Sequence, residues 1–275
     1  LTARRTTRAG TTGRARSARP VDTPTVAPAG DWWASYFDAD YVREFEPLFA
    51  EERNRMEVAR LLEVLALPDG ATVLDCPCGQ GRHAHLLAEA GLDVTGLDYS
   101  KPLLDIAKRR GTGRTLRYVR GDMRALPAGW TGRFDAALNL FTSFGFFDDP
   151  ADDALVIREL ARVLAPGGTF AWFGGSRDGV MAKWVGTDSW KTRDGTTVAH
   201  ARSFDPLDGR ITIRTTWTGR HGAGERVHRI RLYTADRLAQ LCEAAGLTVT
   251  AAYDGWDDRP LKRTSPELLL VARKA

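Results

Sequence analysis

The chain has 275 residues, 43% of them hydrophobic and 27% charged, with 39 Lys and Arg against 35 Asp and Glu for a net charge of +4. That length allows one large domain with a sizeable core, and three cysteines are too few for a disulfide framework, so a reducing cytoplasm is the expected setting. No apolar run is long enough to span a bilayer as a helix and none has the order of a secretory signal, so no membrane partner is expected.

The positive charge is concentrated at one end. Residues 1–20 carry six arginines and no acid, which leaves the remainder at −2. A near-neutral body speaks against nucleic acid as a partner. Residues 1–30 read as a disordered basic tail, rich in Thr, Gly and Arg and without hydrophobic periodicity. They also have the composition of an acid-poor transit peptide; the plainer reading is an upstream extension. The domain proper is expected over 31–275.

Residues 31–67 are expected to be helical. Tyr41, Phe45, Leu48 and Phe49 form one stripe, and Val58, Leu61, Leu62 and Leu65 the next. Pro68-Asp69-Gly70 then breaks the chain. Strands are predicted at 72–75, 93–97, 115–119, 134–140 and 168–174, with helices at 82–90, 101–110 and 151–164. Such alternation implies parallel strands joined by right-handed crossovers. After Gly175 the rhythm changes to strands at 196–204, 210–218 and 226–233, read as a small antiparallel cap occupying about 175–233. A helix at 235–245 and strands at 247–253 and 267–272 complete the sheet.

The first strand ends in Asp75 and runs into Cys76-Pro77-Cys78-Gly79-Gln80-Gly81, after which a helix begins. A strand, a glycine-rich turn and a helix make a cofactor cradle, because a Cβ at the glycines would hold the backbone off the ligand. Cys76 and Cys78 have no second pair and read as packing residues, so no metal is expected. Gly79-Gln80-Gly81-Arg82-His83-Ala84 satisfies the dinucleotide pattern, which keeps an NAD(P)-dependent oxidoreductase in contention. Position separates the two. Asp75 at the strand end would repel a pyrophosphate and suits a ligand carrying an ammonium group. Asp98, at the next strand end, can accept hydrogen bonds from ribose hydroxyls. Asp122 follows the third strand and can accept from the exocyclic amine of adenine, with Met123 packed on the ring. Each acid also has a plainer role: a helix cap for Asp75 and Asp98, a turn for Asp122.

With these residues in place the chain resembles the class I S-adenosylmethionine-dependent methyltransferases over about 32–275. Asp75-x-x-x-Gly79-x-Gly81 is similar to their first motif, Asp98 to their ribose acid and Asp122 to their adenine acid. The segments 134–140 and 164–168 resemble their fourth strand and the turn before the fifth, and 267–272 their reversed final strand. Pro77 departs from the usual glycine there. The resemblance implies a fold class: an α/β, Rossmann-like seven-stranded methyltransferase sheet with a reversed final strand and a small antiparallel β cap after the fifth strand. It implies S-adenosyl-L-methionine as cofactor, held by Tyr36, Asp75, Cys76, Pro77, Gly79 and Gly81, and by Arg82, Asp98, Tyr99, Asp122, Met123 and Asn139.

Two prolines expected of nucleic-acid amino-methyltransferases are missing after Asn139, and no RNA-binding module is apparent. The expected acceptor is therefore a small molecule, methylated on N, O or C, of the kind found among natural-product or amino-acid-derived scaffolds. Arg231 can hold an acceptor carboxylate, while His228 and Tyr233 are the remaining catalytic candidates; surface pairing and simple exposure are their plainer roles. The expected assembly is a monomer or homodimer. A cofactor-binding regulator without turnover is the non-enzyme alternative.

Overall fold

The computed structural model describes residues 31–275, so the tail expected over 1–30 lies outside the described residues. The chain opens with α1 (Trp33–Tyr36) and α2 (Ala39–Glu44), a 3-10 turn over Glu46–Phe49, and the longer α3 (Glu51–Leu65). Asp38 caps α2 by accepting from the Tyr41 amide at 2.8 Å. Pro47, with no N–H and a fixed φ, starts the 3-10 turn rather than continuing α2. The stripe running from Tyr41 to Phe49 is therefore split between two elements.

The alternating core comprises β1 (Thr72–Asp75), α4 (Arg82–Glu89), β2 (Asp93–Asp98), α5 (Lys101–Arg110), β3 (Leu116–Arg120), β4 (Phe134–Asn139), α6 (Pro150–Val163) and β5 (Leu164–Gly175). Ser100 and Asp149 cap α5 and α6 through Leu103 N and Ala151 N. β5 starts four residues before the predicted 168, because Leu164 already pairs with Phe134 across a register shift. After β5 come α7 (Arg177–Ala182), β6 (Thr187–Lys191), β7 (Thr197–Asp205), β8 (Arg210–Gly219) and β9 (Gly222–Arg231). The chain ends with α8 (Ala235–Ala244), β10 (Leu247–Asp254) and β11 (Glu267–Lys274).

Seven strands form one sheet in the order β10-β11-β5-β4-β1-β2-β3. Only β11 is reversed, antiparallel to both β5 and β10. The strand order turns back between β1 and β4, which opens a crevice at their carboxyl ends. Apolar side chains cover both faces, with Leu61, Leu87 and Leu138 in one layer and Phe134, Leu160 and Phe170 in the other. A second, antiparallel sheet, β6-β7-β8-β9, follows β5. Its edge strand β6 was not predicted: Thr187–Lys191 is exposed apart from a half-buried Trp190, so it lacks an apolar alternation.

Candidate active site

The glycine-rich turn after β1 is pinned on both sides by strand ends. Cys76 N donates to Leu138 O at 3.0 Å, and Cys78 N to Leu97 O at 2.9 Å. Gly79, at φ +54°, donates its amide to Asp98 Oδ2 at 2.7 Å. The other Asp98 oxygen accepts from Ser100 N, also at 2.7 Å. Asp98 thus fastens the turn to the end of β2, and each of its oxygens keeps a lone pair for a ligand. Burial, offset by these amides, raises its pKa to about 6.

A cavity opens above the turn. Pro77, Cys78, Gly79 and Gln80 form its floor, Asp98 and Tyr99 one wall, and Asp122 and Met123 another, with Trp33, Phe37 and Tyr41 overhead. Two buried polar atoms beside the turn have no protein partner, Oδ2 of Asp75, which lies behind the turn and does not itself line the cavity, and Nη2 of Arg82, which does line it. Burial pushes Asp75 up to about 7, an effect Arg82 opposes and Asp98 reinforces. Arg82 is held by a buried anchor, Glu57, which is fully enclosed and also receives Arg53 Nε at 2.9 Å and pairs with His83 Nε2 at 2.8 Å. Burial alone would raise Glu57, but His83, Arg82 and Arg53 together bring it down to about 2. Arg82 also lies over the Phe141 ring, 4.4 Å from its centroid. An unpaired carboxylate and an unpaired guanidinium nitrogen beside one turn fit the ammonium and carboxylate of an amino-acid-like ligand; a dinucleotide offers neither.

Comparison with known proteins agrees. Residues 73–168 match a family model described as a methyltransferase domain. The chain is 30% identical over 240 residues, 83% of its own length and 95% of the relative's, to the dTDP-3-amino-3,4,6-trideoxy-alpha-D-glucopyranose N,N-dimethyltransferase of Streptomyces venezuelae. This chain belongs to the class I S-adenosylmethionine-dependent methyltransferases. Among solved structures, the CcbJ methyltransferase of Streptomyces caelestis superposes with a TM-score of 0.72 at 22% identity, covering 86% of this chain and 98% of that one. CalS10 of Micromonospora echinaspora, an amino pentose methyltransferase solved with S-adenosylmethionine bound, gives 0.61 at 24% identity over 81% and 92%. The nicotinamide reading of the same glycines finds no support among these relatives.

Several residues expected to hold the methyltransferase's cofactor have other positions. Tyr36 lies outside the cofactor cavity, and Tyr41 lines it instead. Cys76 and Asn139 are fully buried behind the turn; Asn139 Nδ2 donates to Cys76 O at 3.0 Å and to Ser143 O at 3.3 Å, bracing the wall. Gly81, at φ +73°, is needed for packing, since a Cβ there would run into Tyr118 and Ala107. Asp122 lines the cavity but accepts from Arg124 N at 2.8 Å and pairs with Arg124 Nη2 at 2.7 Å, so a ligand amine would share it.

The acceptor candidates separate as well. Arg231 Nη1 and Tyr233 Oη both reach Asp153 Oδ2, at 2.6 and 2.7 Å, and Arg231 Nη2 donates to Asp148 O at 3.1 Å. Asp153 is fully buried, and neither partner lines the cofactor cavity. Arg231 therefore binds a protein carboxylate, and it and Tyr233 tie β9 to α6. His228 faces a second cavity, of about 440 Å3, between the N-terminal segment, β9 and the ends of β5 and β11. Burial, with repulsion from His200, Arg226 and Arg202, lowers His228 to about 3. A histidine lowered this far is neutral near pH 7 and a poor proton acceptor there.

Glu57, Trp33 and Phe141 are site residues the sequence reading missed. Glu57 had a signal: it sits one turn before Leu61 and two before Leu65, a charge on the apolar face of α3. Phe141 had none, because its place follows from a left-handed backbone, φ +60°, that a sequence rarely announces for phenylalanine.

Proposed function

We propose that this methyltransferase transfers a methyl group to an N, O or C nucleophile of a small molecule that enters through the second cavity. The observation that carries this is a shared wall: Phe37, Tyr41, Phe141, Ser143 and Phe146 line both cavities. An acceptor in the second cavity would approach the cofactor across that wall. A nitrogen acceptor is the form the relatives support, since the S. venezuelae protein and a Streptomyces fradiae protein, 33% identical over 203 residues, are both named as amino-sugar N,N-dimethyltransferases.

When bound, S-adenosylmethionine supplies an electrophilic methyl group on a sulfonium. In this reading Asp75 receives its ammonium and the free Nη2 of Arg82 its carboxylate. Asp98 accepts from the ribose hydroxyls, and Asp122 with Met123 holds the adenine. Gly79 brings the backbone close, while Trp33, Phe37 and Tyr41 exclude water from above. These residues align and desolvate; alignment alone is worth roughly 7–11 kcal/mol in a displacement of this kind. None of them needs to act as a base, and an amine that enters neutral loses its proton after transfer. Among the described residues no helix is long and apolar enough to cross a membrane. A cytoplasmic monomer or homodimer without a nucleic-acid partner completes the reading.

The test is incubation with methyl-deuterated S-adenosylmethionine and a panel of amines, phenols and C-nucleophiles beside bulk tRNA and cell protein, read by mass spectrometry. Label in a small molecule is expected. Label in RNA or protein alone overturns the proposal.

A further inference from the structure

The second cavity has a distinctive lining. Aromatic rings contribute much of its wall, among them Tyr36, Phe37, Tyr41, Phe45, Phe146 and Phe173. Their rings meet at mixed angles, with Tyr36–Phe37 edge-to-face at 5.1 Å and Phe37–Phe146 tilted at 5.4 Å, so faces and edges are both presented. Its one cationic residue among those described, Arg53, donates Nε to Glu57 at 2.9 Å, and its Nη2 lies 3.9 Å from Glu267, beyond hydrogen-bond reach. Arg53 is thus flanked by two carboxylates, and Glu267, which shares the lining, would repel a diphosphate, which needs unopposed cationic donors. Two polar groups in the wall are unsatisfied. Tyr36 Oη and His228 Nδ1 have no hydrogen-bond partner within 3.5 Å, although the residues are only 7% and 6% exposed; the fully buried Thr215 hydroxyl of β8, likewise unpartnered, lies beside Tyr36 Oη. The two rings lie 4.7 Å apart in the same wall. Buried polar atoms without partners are costly unless a ligand or water completes them.

Taking this cavity as the acceptor site, as the proposed function does, we infer that it binds a flat apolar ring system bearing one uncharged polar group, and not a nucleotide-linked acceptor. The aromatic walls sandwich the ring. Tyr36 donates its hydroxyl proton to, and neutral His228 bonds with, the polar substituent. This separates the chain from its S. venezuelae relative, whose named substrate is joined to dTDP and so carries two phosphates.

Binding of 2-naphthol, naphthalene and thymidine diphosphate is measured by calorimetry on the full chain with S-adenosylhomocysteine present. 2-Naphthol is expected to bind and thymidine diphosphate not. Val180 lines only this cavity, so Val180→Trp is expected to fill it and weaken 2-naphthol at least tenfold. Unchanged S-adenosylhomocysteine affinity shows that variant to be folded. Tyr36→Phe and His228→Leu are expected to weaken 2-naphthol by about three- to tenfold and to leave naphthalene within twofold. Thymidine diphosphate binding more tightly than 2-naphthol, or 2-naphthol binding that no substitution moves, overturns the inference. If 2-naphthol binds as expected but does not inhibit turnover of an acceptor found by mass spectrometry, the ring preference stands and the acceptor reading fails.

Discussion

Asp75 and Asp98 sit at the ends of adjacent strands, and burial raises both carboxyls, to about 7 and about 6. A raised acid is protonated in the folded protein at pH values where the unfolded chain has already ionised. Their contribution to stability is therefore present below about pH 4 and lost as pH rises through 6 to 7. A cationic ligand group reverses that burden, since it favours the charged carboxylate. S-Adenosylhomocysteine affinity should then rise from pH 5 to pH 8, by up to about tenfold per unit below the Asp75 pKa. Calorimetry across that range checks it, and Asp75→Asn should flatten the slope; an equal slope in that variant would assign the effect elsewhere. Asp98→Ala removes an acceptor that also holds Gly79 and Ser100 in place, and should weaken S-adenosylhomocysteine roughly 10- to 100-fold. An unchanged affinity would remove Asp98 from the ribose role.

At the level of elements, the segment between β4 and α6 does most to shape the site. Phe141 and Thr142 are consecutive left-handed residues, and the Thr142 amide is fixed to Phe173 O at 3.2 Å. This geometry turns the Phe141 ring under Arg82 and between the two cavities. Gly145 follows at φ +86°, so close to Arg231 that a Cβ would overlap its carbonyl, and its own O accepts from Arg231 N at 2.8 Å. Gly145→Ala combines backbone strain with a clash against β9, and a loss of about 2–4 kcal/mol in urea unfolding is expected. This segment also marks the limit of what the sequence discloses. Strand-end acids were legible because Asp75, Asp98 and Asp122 derive their positions from local alternation; β11 showed as a short apolar run, and its reversal came only from the resemblance to the methyltransferase family. Arg231 and Tyr233 were misread because their partner, Asp153, lies 78 and 80 residues away and no local pattern pairs them. Tyr36 was expected at the cofactor and Tyr41 in an apolar stripe, because the break at Pro47 and the cap at Asp38 that set their positions have no periodic signal.

On the scale of the whole molecule, the second sheet is built into the core rather than perched on it. Ile211 and Ile230 from β8 and β9 belong to the same apolar cluster as Phe144, Phe147 and Leu238. Arg210 reaches Asp148 at 2.8 Å, and Arg231 with Tyr233 closes on Asp153 in α6. The cost of such a buried pair is asymmetric. Removing one partner strands the other charge, while removing both leaves apolar packing that is often as stable. Arg231→Met should thus cost about 3–5 kcal/mol, because Asp153 retains only the Tyr233 hydroxyl. Arg231→Met combined with Asp153→Leu should recover much of that loss. If the sheet and the core unfold as one unit, calorimetry of either variant gives a single transition at a shifted temperature. S-Adenosylhomocysteine affinity should change little in both, since Arg231 and Asp153 lie outside the cofactor cavity. A second transition in Arg231→Met would mean that the small sheet detaches by itself, and that the second cavity, which it walls with His228 and Ile230, depends on this one ion pair to keep its shape.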